Sequence, residues 1–480
     1  MSNIYFGNGN TDRCRLSQTR RSVLARDLLN IGVHDVLARN DLETVAAKPS
    51  PALRGQTAEL PLGFAPSRHA AMRSLTEEIL SFHEFGQATR KLETPFITHS
   101  GESRSIPTFV NEFWTARQRQ ASSLHEVSYR ACFKPQLPRF FIERLTQLGE
   151  VVYDPFMGRG TTPVEAALLG RVPAGNDVNP LSIVMTRPRL HPPFLEDVAA
   201  RLHKIDFSKG EEFPEDLLVF YHPETLRQIA ALREYMLSRH EEGELDSVDE
   251  WICLVALNRL TGHSRGFFSV YTLPPNQAVS VKSQRKINAD RDQTPPRRDV
   301  AALILKKTRQ LLKECDAAAR EALAGIASQA ILFTQPAART PGIPDASVSL
   351  IVTSPPFLNV VQYADDNWLR CWFLGIDPES VQLTVPRKLD DWKAAMTEVF
   401  QELHRVLKSG GHIAFEVGEV HGGKTKLEET VLPCGVAAGL DPLLVLINDQ
   451  KFTKTANCWG VDNNFKGTNT NRIVVFRKQN

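Results

Sequence analysis

The chain has 480 residues, 42% apolar and 23% charged, the composition of an ordinary globular protein with length for about three average domains. A formal charge of only +2 means that affinity for nucleic acid must come from local patches rather than from a global field. No apolar run approaches the ~18 residues of a membrane span, and the N-terminus has no apolar core of a signal peptide. The seven cysteines form no C-x-x-C pair, which supports neither a disulfide framework nor a zinc site, and the expectation is a cytoplasmic protein with reduced thiols.

Residues 1–110 read as an N-terminal extension without nameable chemistry. Its segment 11–39 is Arg-rich with the rhythm of an amphipathic helix, and 46–56 reads as a linker. From residue 150 the pattern alternates between strand and helix. "EVVYD" (150–154) reads as a strand and "TTPVEAALLGR" (161–171) as a short helix. Thr162 and Glu165 have capping-box spacing, Pro163 suits a first turn, and Gly170 can close the C-terminus. Further strands are expected at 172–177, 330–335, 348–353, 412–420 and 471–478, with a helix at 392–408. This alternation implies an α/β fold with a doubly wound, mostly parallel sheet whose last strand lacks a preceding long helix and is a candidate to run antiparallel.

The expected organisation is a catalytic domain over 111–180 and 330–480, interrupted at 181–329 by a largely helical insertion. Helices are expected at 195–204, 222–240, 247–261 and 298–325. Within the insertion, 259–298 is basic, aromatic and rich in turn residues, with eight Arg or Lys against two Asp.

"YDPFMGRGTTPVE" (153–165) joins a strand to a helix through Gly158 and Gly160, where a backbone can approach a ligand and a helix N-terminus offers free N–H groups. At the end of the next strand, Asp177 can accept from both hydroxyls of a ribose, or can close a turn before Pro180. Pro163 stands where a dinucleotide fingerprint has its third glycine, which argues against NAD and leaves room for another adenosine ligand.

"DPFMGRGTT" (154–162) together with "TSPPF" (353–357) resembles the S-adenosylmethionine-dependent amino-methyltransferases of DNA, and "LHEVSYRACFKPQLPRFFIERL" (124–145) resembles their K-P block. The resemblance implies a Rossmann-like methyltransferase fold that binds S-adenosyl-L-methionine through Lys134, Pro135, Asp154, Phe156, Gly158, Gly160, Thr161, Thr162 and Asp177. Gln335 would stand where family members often carry an acidic residue facing the adenine amino group. The implied catalytic residues are Ser354, Pro355, Pro356 and Phe357, and the S-P-P form is typical of members that methylate N4 of cytosine. Adenine N6 remains an alternative target, as does a non-catalytic DNA-binding subunit. Many S-P-P enzymes have the catalytic loop first; here the glycine loop comes first, as in a circular permutation.

The chemistry wants such a loop. An exocyclic amine is a poor nucleophile because its lone pair is delocalised into the ring. Acceptors from Ser354 and the Pro355 carbonyl can draw the amine toward tetrahedral geometry, and the prolines hold them rigid. Phe357 can stack on a base turned out of the duplex. A cysteine nucleophile is the rival chemistry, but Pro433-Cys434 reads as a glycine-flanked turn and a structural thiol. No metal site is expected.

The implied partners are double-stranded DNA and a cognate restriction endonuclease, with no membrane. In the insertion, Lys282, Arg285, Lys286, Arg291, Arg297 and Arg298 are candidates for phosphates, and His263, Arg265, Asn276 and Gln277 for base edges. Phe267 and Phe268 are expected to pack in the core, and Tyr271 to pack the loop or fill the space of a flipped base.

Overall fold

The computed structural model describes residues 75–115, 121–129, 132–210, 212–272, 279–356, 363–381, 386, 388–417, 419–420, 425–449 and 470–479. The expected helix in 11–39 and the linker at 46–56 lie outside the described residues.

Eleven strands are described: β1 (Arg90–Ile97), β2 (Ser103–Asn111), β3 (Val151–Asp154), β4 (Val172–Asn176), β5 (Ile331–Phe333), β6 (Val348–Thr353), β7 (Leu407–Val417), β8 (Glu419–Val420), β9 (Thr425–Lys426), β10 (Leu440–Asp449) and β11 (Thr470–Lys478). Nine of them form one sheet in the order β1-β2-β10-β11-β7-β6-β3-β4-β5, while β8 and β9 pair separately. β5, β4, β3, β6 and β7 run parallel to one another. β11 is inserted antiparallel between β7 and β10.

All six residues of β6 are buried, which explains its unbroken apolar, β-branched run: a central parallel strand is covered on both faces. From β3 the chain winds outward through β4 and β5, then returns through β6 to the other side of β3. That reversal is the topological switch point where open α/β sheets bind ligands, outside the carboxyl ends of the strands.

The helices before the insertion are α1 (Leu75–Leu80), α2 (Gln136–Leu145) and α3 (Thr161–Leu168). The insertion contributes α4 (Leu181–Leu190), α5 (Leu195–Lys204), α6 (Pro223–Glu241), α7 (Ser247–Leu257), α8 (Val281–Asp290), α9 (Val300–Leu311) and α10 (Ala317–Ala327). After β6 come α11 (Tyr363–Leu374), α12 (Leu389–Val406) and α13 (Leu427–Ala437).

Several expectations need correction. The sheet takes in residues before 110: β2 pairs with β10 in parallel and β1 with β2, so the last part of the supposed extension is sheet. The insertion shares one apolar core with the strand–helix body, in which Val164, Leu181, Trp251, Phe268 and Phe373 are all fully buried. The basic stretch 259–298 contains a helix, α8, capped by the Ser280 side chain accepting from the Ser283 amide. β7 begins at Leu407, ahead of the strand expected from 412, and Gly410 (φ +78°) sits inside it where the β6–β7 register shifts. The Thr162–Glu165 capping box does not form. The N-cap of α3 is Gly160, at φ 74° and ψ 40°, which places Thr162 inside the first turn. Gly170 does stand past the end of α3 at φ +73°.

Candidate active site

Asp154 ends β3, 1% exposed, and accepts from the Phe156 amide (3.1 Å) and the Thr353 hydroxyl (2.6 Å). Burial pushes its carboxyl up to about 7, against the pull of those hydrogen bonds. The Thr353 bond joins the glycine loop of β3 to the carboxyl end of β6.

The two glycines do different work. A Cβ on Gly160 would lie 2.1 Å from Thr186 Oγ1, so Gly160 is required by close packing of the loop on α4. A Cβ on Gly158 would meet the Tyr129 ring at 3.7 Å and the Phe156 carbonyl at 4.0 Å, both ordinary contacts, although its φ of +50° still favours glycine. Gly158 N–H donates to Asp177 Oδ2 at 2.9 Å, and Asn179 N–H donates to Asp177 Oδ1 at 2.9 Å. Asp177 therefore closes a turn and clamps the glycine loop. With one backbone donor on each oxygen, it retains acceptor capacity for a ligand hydroxyl. Burial raises its pKa.

Thr161 Oγ1 accepts from Arg159 Nε at 3.2 Å, while Thr162 Oγ1 donates to the Val352 carbonyl in β6 at 3.1 Å. Phe156 is half-buried. Lys134 is half-buried and Pro135 is the N-cap of α2; burial, with Arg159 nearby, lowers the Lys134 pKa. Sequence reasoning missed Arg159. Its guanidinium donates to the carbonyls of Val127 (2.6 Å), His125 (3.3 Å) and Phe133 (3.4 Å), and so holds the strip before Lys134 against the glycine loop. Its only signal was a long cation between two glycines.

The Gln335 backbone is held at both ends by Asn176, through N–H to Oδ1 and Nδ2–H to O, each 2.9 Å. Its side-chain Oε1 is buried without a hydrogen-bond partner, as is Thr334 Oγ1 beside it. An orphaned buried acceptor past β5, a carboxylate past β4 and a glycine loop past β3 together fit an adenosine ligand lying across the strand ends.

Ser354 is half-buried, Pro355 buried and Pro356 half-buried. The Pro356 carbonyl accepts from Trp392 Nε1 at 3.1 Å, and Trp392 is fully buried, which anchors the proline pair. Phe357 lies outside the described residues. The neighbour that sequence reasoning overlooked is Glu416, near the end of β7 and 8% exposed. Thr353 pairs with Phe415 and Glu416 with Ile473, so Glu416 lies between the exit of β6 and strand β11. Its carboxyl accepts from Asn471 Nδ2, the register sets it beside Ser354, and burial raises it to about 7.

The insertion's candidate DNA residues fall into groups. Lys282, Arg285 and Lys286 are exposed along one face of α8, and Arg285 pairs with exposed Asp216 at 2.5 Å. Arg265 and Arg297 are exposed and Arg298 is half-buried, whereas Gln277 and Asn276 lie outside the described residues. Phe267 and Phe268 are buried, and Tyr271 carries the Arg291 guanidinium 3.8 Å over its ring. Cys434 is buried inside α13 rather than in a turn, and burial raises its thiol pKa, which leaves it unsuited to nucleophilic attack. Among the described residues no helix is long and apolar enough to cross a membrane.

Residues 58–183 match a family model described as DNA methylase of the N6/N4 type. The type II methyltransferase M.BsoBI of Geobacillus stearothermophilus is 20% identical over 307 residues, which cover 57% of each chain. The type II methyltransferase M.MvaI of Kocuria varians is 33% identical over 97 residues, 20% of each chain. The matches thus span less than two thirds of these relatives. Among solved structures, TrmN of Thermus thermophilus aligns over 75% of this chain and 52% of its own, with 11% identity and a TM-score of 0.29.

Proposed function

We propose, on the premise that this chain belongs to the DNA amino-methyltransferase family, that it methylates the N4 amine of cytosine in double-stranded DNA from S-adenosyl-L-methionine. The observation that carries the reading is the convergence at the switch point of β3 and β6. There Asp154 bonds Thr353, next to Ser354, while Gly158 bonds Asp177.

Gly158, Asp177 and Gln335 are the residues that would hold the adenosine end of the cofactor, with Lys134 and Pro135 toward its methionine end. Bound there, S-adenosylmethionine supplies an electrophilic methyl group. Ser354 and the Pro355 carbonyl accept from the two hydrogens of the substrate amine and release its lone pair. The Trp392 bond to Pro356 keeps the proline pair from relaxing toward solvent. Ser at 354, rather than Asp or Asn, favours cytosine N4 over adenine N6. The basic face of α8 with Arg265, Arg297 and Arg298 would engage the duplex, and a restriction endonuclease of the same specificity is the partner this activity suits.

The test is incubation of the full chain with duplex DNA and labelled S-adenosylmethionine, followed by nucleoside analysis. N4-methylcytosine supports the reading, N6-methyladenine moves the target, and no labelled nucleoside overturns it. Methylation-sensitive sequencing of the same DNA gives the recognition site.

A further inference from the structure

We propose that Tyr129 is a further cofactor-binding residue, whose hydroxyl donates to one ribose hydroxyl of S-adenosylmethionine while Asp177 accepts from the same diol. The inference rests on the methyltransferase reading and adds to it a donor outside the glycine loop and the K-P pair.

Three contacts place the Tyr129 side chain. A Cβ on Gly158 would lie 3.7 Å from its ring, so the ring borders the glycine that a cofactor backbone can approach. Its hydroxyl oxygen lies 2.8 Å from Asn179 Nδ2. The backbone N–H of Asn179 in turn donates to Asp177 Oδ1 at 2.9 Å, so one asparagine holds both the tyrosine hydroxyl and the carboxylate. Arg370, on α11, has its guanidinium 5.5 Å from the ring centre and donates to the neighbouring Ser128 carbonyl at 3.3 Å, which steadies the strip that carries the tyrosine. Tyr129 itself is half-buried, so part of it stays open to a ligand.

The direction of the Asn179 bond decides what the hydroxyl can do. The Asn179 amide is oriented by its own oxygen, which accepts from the Leu181 N–H at 2.9 Å. Its nitrogen therefore faces Tyr129, and a nitrogen of this kind only donates. The tyrosine oxygen accepts in this bond, and its own proton points elsewhere. Among the described residues that proton has no acceptor. Burial and the nearby Asp177 carboxylate both hold the Tyr129 hydroxyl above its ordinary pKa, so it keeps the proton it would donate.

A ribose diol asks for both kinds of partner, since each hydroxyl has a proton to give and lone pairs to fill. Asp177 serves the protons, with one backbone donor on each oxygen and acceptor capacity to spare. A carboxylate cannot serve the lone pairs, and Tyr129 can. The two groups, held on one asparagine, form a matched acceptor and donor. A sugar lacking a hydroxyl leaves one of them unpaired, and a site built this way discriminates against it.

The experiment is calorimetric titration of the full-length parent and Tyr129→Phe with S-adenosylhomocysteine and with its 2′-deoxy and 3′-deoxy analogues. Tyr129→Phe keeps the ring beside Gly158 and removes only the donor. It should bind S-adenosylhomocysteine ~5–10-fold more weakly than the parent does. Against the analogue that lacks the hydroxyl served by Tyr129, parent and variant should differ by less than ~2-fold, because the partner of the lost donor is already gone. A tyrosine that merely packed the strip would weaken all three ligands by the same factor, and that result overturns the proposal. Equal affinity of parent and variant for S-adenosylhomocysteine overturns it as well. In both cases the parent still binds the cofactor product, so the methyltransferase reading stands. A parent that binds none of the three ligands overturns both.

Discussion

The backbone N–H of Gly158 donates to Asp177 Oδ2 across 2.9 Å, and this bond ties the glycine loop of β3 to the end of β4. Asp177 thus organises the glycine loop, and in the proposed function it also offers the cofactor an acceptor. Replacing it by Ala should weaken S-adenosylhomocysteine binding by ~1.5–3 kcal/mol, the range for a hydrogen bond to a charged group. Asp177→Asn, which keeps one acceptor, should fall between Ala and parent. Calorimetric titration of the three proteins tests this, and equal affinities would leave Asp177 as a turn residue only.

Ser354→Ala should leave that affinity nearly unchanged and reduce turnover by ~100-fold or more, because in the proposed reaction the hydroxyl acts on the amine only as it reacts. Calorimetry and single-turnover transfer on the same preparation separate the two effects. A variant with parental turnover would remove Ser354 from the chemistry.

Gly160 answers to packing. A methyl group there would collide with Thr186, and φ +74° is costly for any other residue. Gly160→Ala should therefore destabilise the fold by ~1–3 kcal/mol in urea unfolding. Thr186→Gly on top should recover the steric part but not the backbone part. The effect of Gly158→Ala on stability should be smaller, since its neighbour is an ordinary contact with Tyr129.

What could be read in the sequence followed local physics. The span of β6 was legible to the residue because a central parallel strand is a continuous apolar run closed by two prolines. The same holds for α5, whose apolar rhythm gave its observed bounds. Glu416 was not legible. "FEVGEV" alternates like any strand with solvated acids, and only the register of β7 against β6 brings this glutamate to Ser354. β1 and β2 went unassigned because no motif adjoins them and four of the eight residues that open β1 are exposed before its first buried one, leaving little apolar alternation to see. α8 was hidden by its composition: a helix with one buried residue, Gln284, shows no apolar stripe.

Asp154 predicts a pH dependence of stability. Its folded pKa is raised from 3.8 to about 7, so between those values the folded state binds more protons than the unfolded chain. Stability from this group is fully present below pH ~4 and is lost as pH rises through ~7, by up to ~4 kcal/mol for a shift of this size. Glu416, raised to about 7 from 4.5, works in the same direction over the same window. Unfolding free energies should therefore fall from pH 4.5 to 8 more steeply in the parent than in Asp154→Asn, and least steeply in Asp154→Asn with Glu416→Gln. Parallel curves for all three would show that neither carboxyl is perturbed.

The exposed cations of the insertion separate holding DNA from acting on it. Lys282, Arg285 and Lys286 share one face of α8, and Arg285 pairs there with the equally exposed Asp216. A surface pair of that kind is worth little and yields readily to a phosphate. If these residues neutralise the backbone, each substitution by Ala should weaken binding to cognate and scrambled duplexes alike. Each lost contact should also reduce the log–log salt slope by ~0.9. Arg265→Ala should instead narrow the gap between cognate and scrambled DNA with little change of slope, because a base-edge contact carries sequence information. Affinity for S-adenosylhomocysteine should stay at the parental value in all of them, since none adjoins Gly158 or Asp177. A triple α8 variant that binds duplex with the parental slope would show that this face is merely solvated, and the exposed Arg297 would then be the next cation to substitute.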